Sequence, residues 1–449
     1  MNRNQFAVIG HPIAHTMSPF IHARLFALSG QAGDYGVFDI SPGTLAEKMT
    51  ELKSLDGFNI TIPHKQAIIP FLDALDEKAA FFHSVNTVKN TDSSLVGYTT
   101  DGEGFCRALQ AEGADLSGRT VILGAGGAAR VMAFEAALQG GQVTVAAREH
   151  SLESARQLCL DLNRNVPGAR ADCCLMDAVR GPIDLLANAT PVGMYPNTNG
   201  CPIDEEAIRK ASCVFDAVYN PNETILLKLA RKNGVRTVSG MAMLVWQAAA
   251  AHEIWYGAKF GTEQIDQLCA DSVFEMKKNF GNLILCGFMG CGKSTVGKRL
   301  AEITGRTFVD TDDFIEQNEQ MTIPEIFARR GESEFRQMER EAVKTLSKRN
   351  NLVIATGGGT LMNPDNTAVF KENGVVILLN AGLDVMKVRL QDDTSRPLLA
   401  KPNREELMEQ LYRDRIGTYR NAADFIVPAD ETAVHVAEEI AGQLNYKIR

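Results

Sequence analysis

What the chain lacks narrows the field first. None of its apolar runs approaches the ~20 residues that would span a bilayer, so a membrane partner is not expected. The opening Met1-Asn2-Arg3-Asn4 leads straight into a strand-like Phe6-Ala7-Val8-Ile9, leaving no room for a secretory leader and pointing to the cytoplasm. Nine cysteines fall at irregular spacings, with no C-x-x-C pair and no histidine companion at metal spacing; reduced thiols are the expectation, and no zinc site is implied. A net charge of −9 and the lack of a basic DNA-reading segment argue against a nucleic-acid partner. What is present is an ordinary globular composition, 45% hydrophobic and 22% charged. Its 449 residues are enough for roughly three structural units at about 150 residues each. An anionic substrate would have to be met by local clusters of Arg and Lys.

The firmest motif is Gly287-Phe288-Met289-Gly290-Cys291-Gly292-Lys293-Ser294-Thr295, which follows the apolar run Leu283 to Cys286 and opens a helix-like segment. It fits the phosphate-cradling pattern G-x-x-x-x-G-K-S. Gly287, Gly290 and Gly292 let backbone N–H groups turn inward on a phosphate, Lys293 supplies a point charge, and the Ser294 hydroxyl can hold Mg²⁺.

Toward the N-terminus, apolar runs at Phe6-Ile9, Tyr35-Ile40 and Gly57-Thr61 alternate with helix-period segments near Pro19-Ser29 and Thr44-Leu55, the βαβ rhythm of a parallel sheet. Hydroxyls, an amide and a lysine collect after the strands, where open α/β sheets bind ligands, and they suit a small polyol acid. Ser18 before Pro19 serves equally well as a plain helix cap. His15-Thr16-Met17-Ser18-Pro19, Gly57-Phe58-Asn59-Ile60-Thr61-Ile62-Pro63-His64-Lys65, Val85-Asn86-Thr87 and Thr100-Asp101-Gly102 together resemble the shikimate dehydrogenases. The resemblance implies that Thr16, Ser18, Thr61, Asn86 and Asp101 hold the substrate's hydroxyls and carboxylate, with Lys65 and Asp101 as the catalytic pair. Reduction of a ketone needs a proton delivered to the new alkoxide, and a lysine beside a carboxylate can deliver it. Thr16 stands where the family has serine, and Thr99 where asparagine is usual, so quinate remains a second acid.

From Thr120 a strand runs into Gly124-Ala125-Gly126-Gly127-Ala128-Ala129-Arg130, a helix-like segment and a second strand, Gln142-Ala146, which reads as a dinucleotide-binding βαβ. Arg148 after the second strand, where an NAD reader would place an acidic residue, favours a 2′-phosphate and hence NADP; NAD stays the alternative. The resemblance continues through Asn188-Ala189-Thr190-Pro191 and Asp216-Ala217-Val218-Tyr219-Asn220-Pro221, taken to line the nicotinamide pocket with Tyr219 reaching the substrate. It ends at Gly240-Met241-Ala242-Met243-Leu244-Val245-Trp246-Gln247, where Gln247 would bond a substrate hydroxyl. Gly124, Gly126, Gly127, Ala128, Arg148, Thr190 and Gly240 are the expected cofactor-binding residues.

After the phosphate loop, Asp310 and Asp312 lie two apart at a strand end, so both are expected on one face, one toward Mg²⁺ and one toward an acceptor hydroxyl. Arg336 and Glu339 share a helix face at i and i+3. Gly357-Gly358-Gly359 is a second strand-to-loop turn. Arg396 sits in a polar segment, Gln391 to Arg404, that reads as a lid, and Arg415 precedes Tyr419. In this order the motifs resemble shikimate kinase. The resemblance implies ATP on Gly287, Gly290, Cys291, Gly292, Lys293, Ser294, Thr295 and Arg396, and Mg²⁺ near Ser294 and Asp310. It places shikimate on Asp312, Arg336, Gly358, Gly359 and Arg415.

The expected fold is α/β throughout: a substrate domain (1–110, closed by a helix at about 240–262), a Rossmann domain (111–240), a linker region (263–282) and a P-loop kinase domain with a parallel sheet (283–449). The expected activity is NADP-dependent reduction of 3-dehydroshikimate to shikimate followed by ATP- and Mg²⁺-dependent phosphorylation to shikimate 3-phosphate. Two rivals stand beside it, a quinate- or shikimate-sensing regulator without chemistry and a second half that phosphorylates another small polyol, and a homodimer is left open.

Overall fold

The computed structural model describes residues 4–13, 16–91, 94–391 and 403–446. The chain divides into two compact units, Met1–Val273 and Phe274–Arg449, each treated by itself below.

The first unit contains two sheets. One is built from β1 (Asn4–Gly10), β2 (Gly33–Asp39), β3 (Gly57–Ile60), β4 (Ala74–Leu75), β5 (Thr87–Thr91) and β6 (Ser94–Tyr98), in the order β2-β1-β3-β5-β6-β4. Strands β1 to β3 run parallel as their βαβ rhythm predicts, but β5 and β6 form an antiparallel hairpin on β3, so the sheet is mixed rather than parallel. The helix-period reading holds locally. Leu45, Met49 and Leu52 of the helix Leu45–Leu52 fall at i, i+4 and i+7 and bury against Ala7, Ile9, Phe58 and Ile60.

The other sheet holds β7 (Arg119–Leu123), β8 (Gln142–Ala147), β9 (Arg170–Leu175), β10 (Ile183–Asn188), β11 (Ala211–Asp216) and β12 (Arg236–Ser239), ordered β12-β11-β10-β7-β8-β9 and parallel throughout. That is the doubly wound order, with the switch point between β7 and β10 where a dinucleotide crevice forms. The helix Gly240–Tyr256 then returns to pack on the helix Asp101–Ala111 of the first layer.

Residues 263–282, read as a linker, are helical almost throughout, as Thr262–Phe280, and the division between the units falls inside this helix. The second unit is one parallel sheet: β13 (Asn282–Cys286), β14 (Thr307–Asp310), β15 (Leu352–Ala355), β16 (Gly374–Asn380) and β17 (Phe425–Pro428), ordered β14-β15-β13-β16-β17. Central β13 and β16 are apolar nearly end to end because helices cover both faces.

Candidate active sites

Lys65 lies in the short helix His64–Ala67 that follows β3, and Asp101 opens the helix Asp101–Ala111 after β6. Their side chains meet: Lys65 Nζ donates to Asp101 Oδ2 over 2.6 Å, both groups partly buried. Buried Asn86, just before β5, donates from Nδ2 to Asp101 Oδ1 at 2.9 Å and accepts at Oδ1 from Thr100 N at 2.7 Å. The same Nδ2 lies 3.3 Å from Gln247 Oε1 on the helix Gly240–Tyr256. Gly104 permits this approach, since a Cβ there would lie 2.6 Å from Met243 O and 2.8 Å from Gln247 Cβ. Thr16 Oγ1 accepts from Ser18 N at 3.2 Å. Ser18 is not the helix cap; Met17 holds that position without a side-chain hydrogen bond. Instead Ser18 stands beside Tyr35, whose phenol burial pushes well above the usual range. Tyr35 donates to Asn59 Oδ1 at 2.6 Å, and Asn59 Nδ2 donates to Thr87 Oγ1 at 3.0 Å, linking Ser18 to the Asn86 cluster. Thr61 and Tyr219 stand after β3 and β11 with no side-chain hydrogen bond to this cluster among the described residues.

The dinucleotide loop leaves β7 at Gly124, whose φ of 105° is strained for any side-chain-bearing residue, and Gly126 caps the helix Gly127–Leu138. A Cβ at Gly126 or Gly127 would meet nothing within 4 Å, so the helix's first N–H groups, with exposed Ala128 beside them, face space that a pyrophosphate can enter. Arg148 follows β8, is exposed and pairs with no acidic side chain among the described residues, as a 2′-phosphate reader requires. Thr190 donates from N and Oγ1 to Asn188 Oδ1 at 3.0 and 2.7 Å, and Asn188 Nδ2 donates to Asp216 Oδ1 at 2.9 Å. Fully buried Asp216 also accepts from Val218 N at 3.0 Å and Thr224 Oγ1 at 2.6 Å. It has hydrogen-bond donors but no cation, and burial pushes its carboxyl up to about 6. Gly240 lies directly against the Ala217 and Val218 carbonyls, leaving no space for a side chain.

In the second unit Gly287, Gly290 and Gly292 take φ of 144°, 78° and 96°, and the loop feeds the helix Lys293–Thr304. Lys293 Nζ curls back to donate to Gly287 O at 2.9 Å and Phe288 O at 3.2 Å, holding its charge inside the loop. Cys291 is buried beneath Gly287, whereas Ser294 and Thr295 are exposed. Ser294 Oγ donates to Asp310 Oδ2 at 2.7 Å, so a hydroxyl and a carboxylate stand together at the start of the helix. Among the described residues no group of three acidic, histidine or cysteine side chains could hold a metal, so Mg²⁺ at Ser294 and Asp310 would take its other oxygens from nucleotide and water.

The strand alternation expected of Asp310 and Asp312 does not occur. β14 ends at Asp310, which caps the helix Thr311–Glu319 by accepting from Asp312 N at 3.0 Å, and Asp312 lies in that helix's first turn. Its carboxylate nevertheless faces the glycine turn, pressed against Gly357. Across that turn Gly359 lies against the Arg336 guanidinium, and Gly358 O accepts from Arg415 at 3.0 Å and Tyr419 OH at 2.5 Å. Arg336 donates to Glu339 at 2.5 Å and Glu332 at 3.1 Å, and buried Glu339 accepts in turn from Thr360 Oγ1 at 2.8 Å. A cavity of about 350 Å³ opens between Arg336, Glu339, Arg340, Gly359 and Arg415. Arg396 lies outside the described residues.

Two polar sites, each at the carboxyl ends of parallel strands, are thus in place. The sequence matches the family model of the shikimate dehydrogenase substrate binding domain over residues 8–88 and that of shikimate kinase over residues 289–445. A shikimate dehydrogenase (NADP(+)) of Moorella thermoacetica is 42% identical over 274 residues, 60% of this chain and 92% of the relative. The chain belongs to the shikimate dehydrogenase family. A shikimate kinase domain follows in the same polypeptide. The Thermus thermophilus shikimate 5-dehydrogenase solved in complex with NADP(H) and shikimate superposes with a TM-score of 0.55 at 32% identity, covering 60% of this chain and 99% of that one. A Corynebacterium glutamicum quinate dehydrogenase solved with NAD gives 0.55 at 28% identity, again over 60% and 99%.

In this shikimate dehydrogenase–kinase chain, two features escaped the sequence. Arg340 lines the cavity beside Arg336 and Arg415, but in a helix crowded with Arg and Glu only its spacing of four from Arg336 could have marked it. Asp216 was read as part of a pocket-lining segment, whereas its side chain is turned inward to tie β10, β11 and the helix Ile225–Lys232 together.

Proposed function

We propose that the chain reduces 3-dehydroshikimate to shikimate with NADPH and then phosphorylates shikimate to shikimate 3-phosphate with ATP and Mg²⁺. NADPH supplies the hydride, and ATP supplies the phosphoryl group. In the reduction Lys65 Nζ gives its proton to the substrate oxygen that gains negative charge; Asp101 orients the ammonium, and the neutral amine takes a proton back from solvent. Thr16, Ser18, Thr61, Asn86, Tyr219 and Gln247 bind the acid's hydroxyls and carboxylate. Gly124, Gly126, Gly127, Ala128, Thr190 and Gly240 shape the cofactor crevice, and Arg148 selects the 2′-phosphate.

In the transfer, Asp312 orients the attacking hydroxyl and Arg336, Arg415, Gly358 and Gly359 hold the acid. The backbone of Gly287, Gly290, Cys291 and Gly292 with Lys293 and Thr295 cradles the phosphates, while Ser294 and Asp310 hold the metal. Arg396 completes the phosphate contacts in this reading. The observation that carries the proposal is the 2.6 Å Lys65–Asp101 pair, joined through Asn86 to Gln247 at the edge of a dinucleotide crevice.

No helix among the described residues is long and apolar enough to cross a membrane, and all nine cysteines are unpaired. We take the chain for a cytoplasmic enzyme acting on small molecules; whether it pairs as a homodimer is left to a measurement of its mass in solution. The test is an assay of the whole chain with 3-dehydroshikimate, NADPH, ATP and Mg²⁺: shikimate 3-phosphate is the expected product, and a chain that binds shikimate but turns over nothing would be the regulator instead.

A further inference from the structure

Among the described residues Arg340 is an arginine without a counter-charge. The helix Ile323–Ser347 is broken at Gly331 (φ 82°), and in the regular stretch beyond it Glu332, Arg336, Glu339 and Arg340 follow at i, i+4, i+7 and i+8. That spacing puts all four on one face, and all four line the 350 Å³ cavity that Gly359 and Arg415 close. Both carboxylates are already committed: Glu332 and Glu339 each accept from Arg336, and Glu339's other oxygen accepts from Thr360. Arg340 forms no ion pair with any acidic side chain among the described residues, although it is half-buried and one helical turn from Arg336, whose like charge repels it. Among the residues lining the cavity three guanidinium groups therefore face two carboxylates, and Arg340 is paired with neither of them.

We propose that Arg340 is an acceptor-binding residue of the kinase unit, receiving the acceptor's carboxylate beside Arg415 and setting the preference for an anionic acceptor. This rests on the shikimate kinase reading above and adds to it a contact from outside the motifs that identify the domain. An interaction made equally with bound acceptor and transition state acts on KM rather than kcat.

The experiment uses the full chain with shikimate and with its uncharged methyl ester as acceptors, for wild type, Arg340→Gln and Arg340→Lys. The expected result for Arg340→Gln is a shikimate KM raised roughly tenfold, as for loss of one charge-assisted hydrogen bond. Its kcat and its KM for ATP stay near wild type, and its preference for acid over ester falls by about the same tenfold factor. Arg340→Lys, which keeps the charge, should recover part of the preference. An unchanged acid-over-ester preference in Arg340→Gln, or a fall in kcat at constant KM, would overturn the inference while leaving the kinase reading intact. A wild-type chain that phosphorylates neither acceptor would overturn that reading and the inference with it.

Discussion

The polar sites of the two units are built with opposite electrostatics. Around Lys65 the first unit gathers neutral amides and hydroxyls (Asn86, Thr100, Gln247) with one Lys–Asp pair among them. Around Asp312 the second unit gathers arginines and glycine backbone. The chemistry explains the contrast. Ketone reduction must move one proton to one oxygen, so a single positioned ammonium suffices. Phosphoryl transfer brings a polyphosphate up to a carboxylate-bearing acceptor, so the site must supply compensating charge on both sides. The contrast extends to buried acids: Glu339 is neutralised by Arg336 at 2.5 Å, whereas Asp216 is left with neutral donors and is raised to about 6.

The sharpest way to break this comparison is to remove Lys65, the proposed proton donor. Lys65→Ala should lower reduction by about 10³-fold while phosphorylation of added shikimate persists at the wild-type rate, measured by NADPH oxidation and ADP release. Lys293→Ala, its counterpart, should lower phosphorylation by roughly 10²–10³-fold and leave reduction untouched in the same two assays.

A smaller effect separates the buried acids. Because the folded Asp216 carboxyl titrates near 6 rather than 3.8, the native state binds the extra proton between those values. This group's contribution therefore favours folding at low pH and is lost as pH rises from about 4 to about 6. Relative to Asp216→Asn, the wild-type chain should lose about 2 kcal/mol between about pH 4.5 and 7.5, read as urea midpoints of the first unit's transition at those two pH values; parallel pH profiles for the two proteins would contradict the assignment. The smallest effect tests the cofactor. Arg148→Ala should reduce the NADPH-over-NADH preference by about tenfold, on the order of 1.4 kcal/mol, in kcat/KM for the two cofactors.

Sequence revealed most of what depends on backbone. The phosphate loop, the dinucleotide turn and the Gly357-Gly358-Gly359 turn were readable because glycine is required where φ is positive or where a guanidinium or carboxylate presses against the chain, as Gly292 and Gly359 illustrate. Lys65 and Asp101 were readable through the segments around them. What escaped depends on three-dimensional context. The β5–β6 hairpin went unread because its polar Lys89 and Asn90 carry no clear period. Asp312 moved from strand to helix because Asp310 caps that helix one residue earlier than alternation assumed. Arg340 is indistinguishable from its charged neighbours until the helix is seen to turn it toward the cavity.

The most direct test of two independent grips on one acid follows labelled 3-dehydroshikimate through the full chain with NADPH, ATP and Mg²⁺. Wild type should yield labelled shikimate 3-phosphate. Lys65→Ala should leave the label in 3-dehydroshikimate yet phosphorylate added shikimate, and Lys293→Ala should stop at labelled shikimate. Loss of both conversions from either single substitution, in a chain that remains folded, would contradict the account.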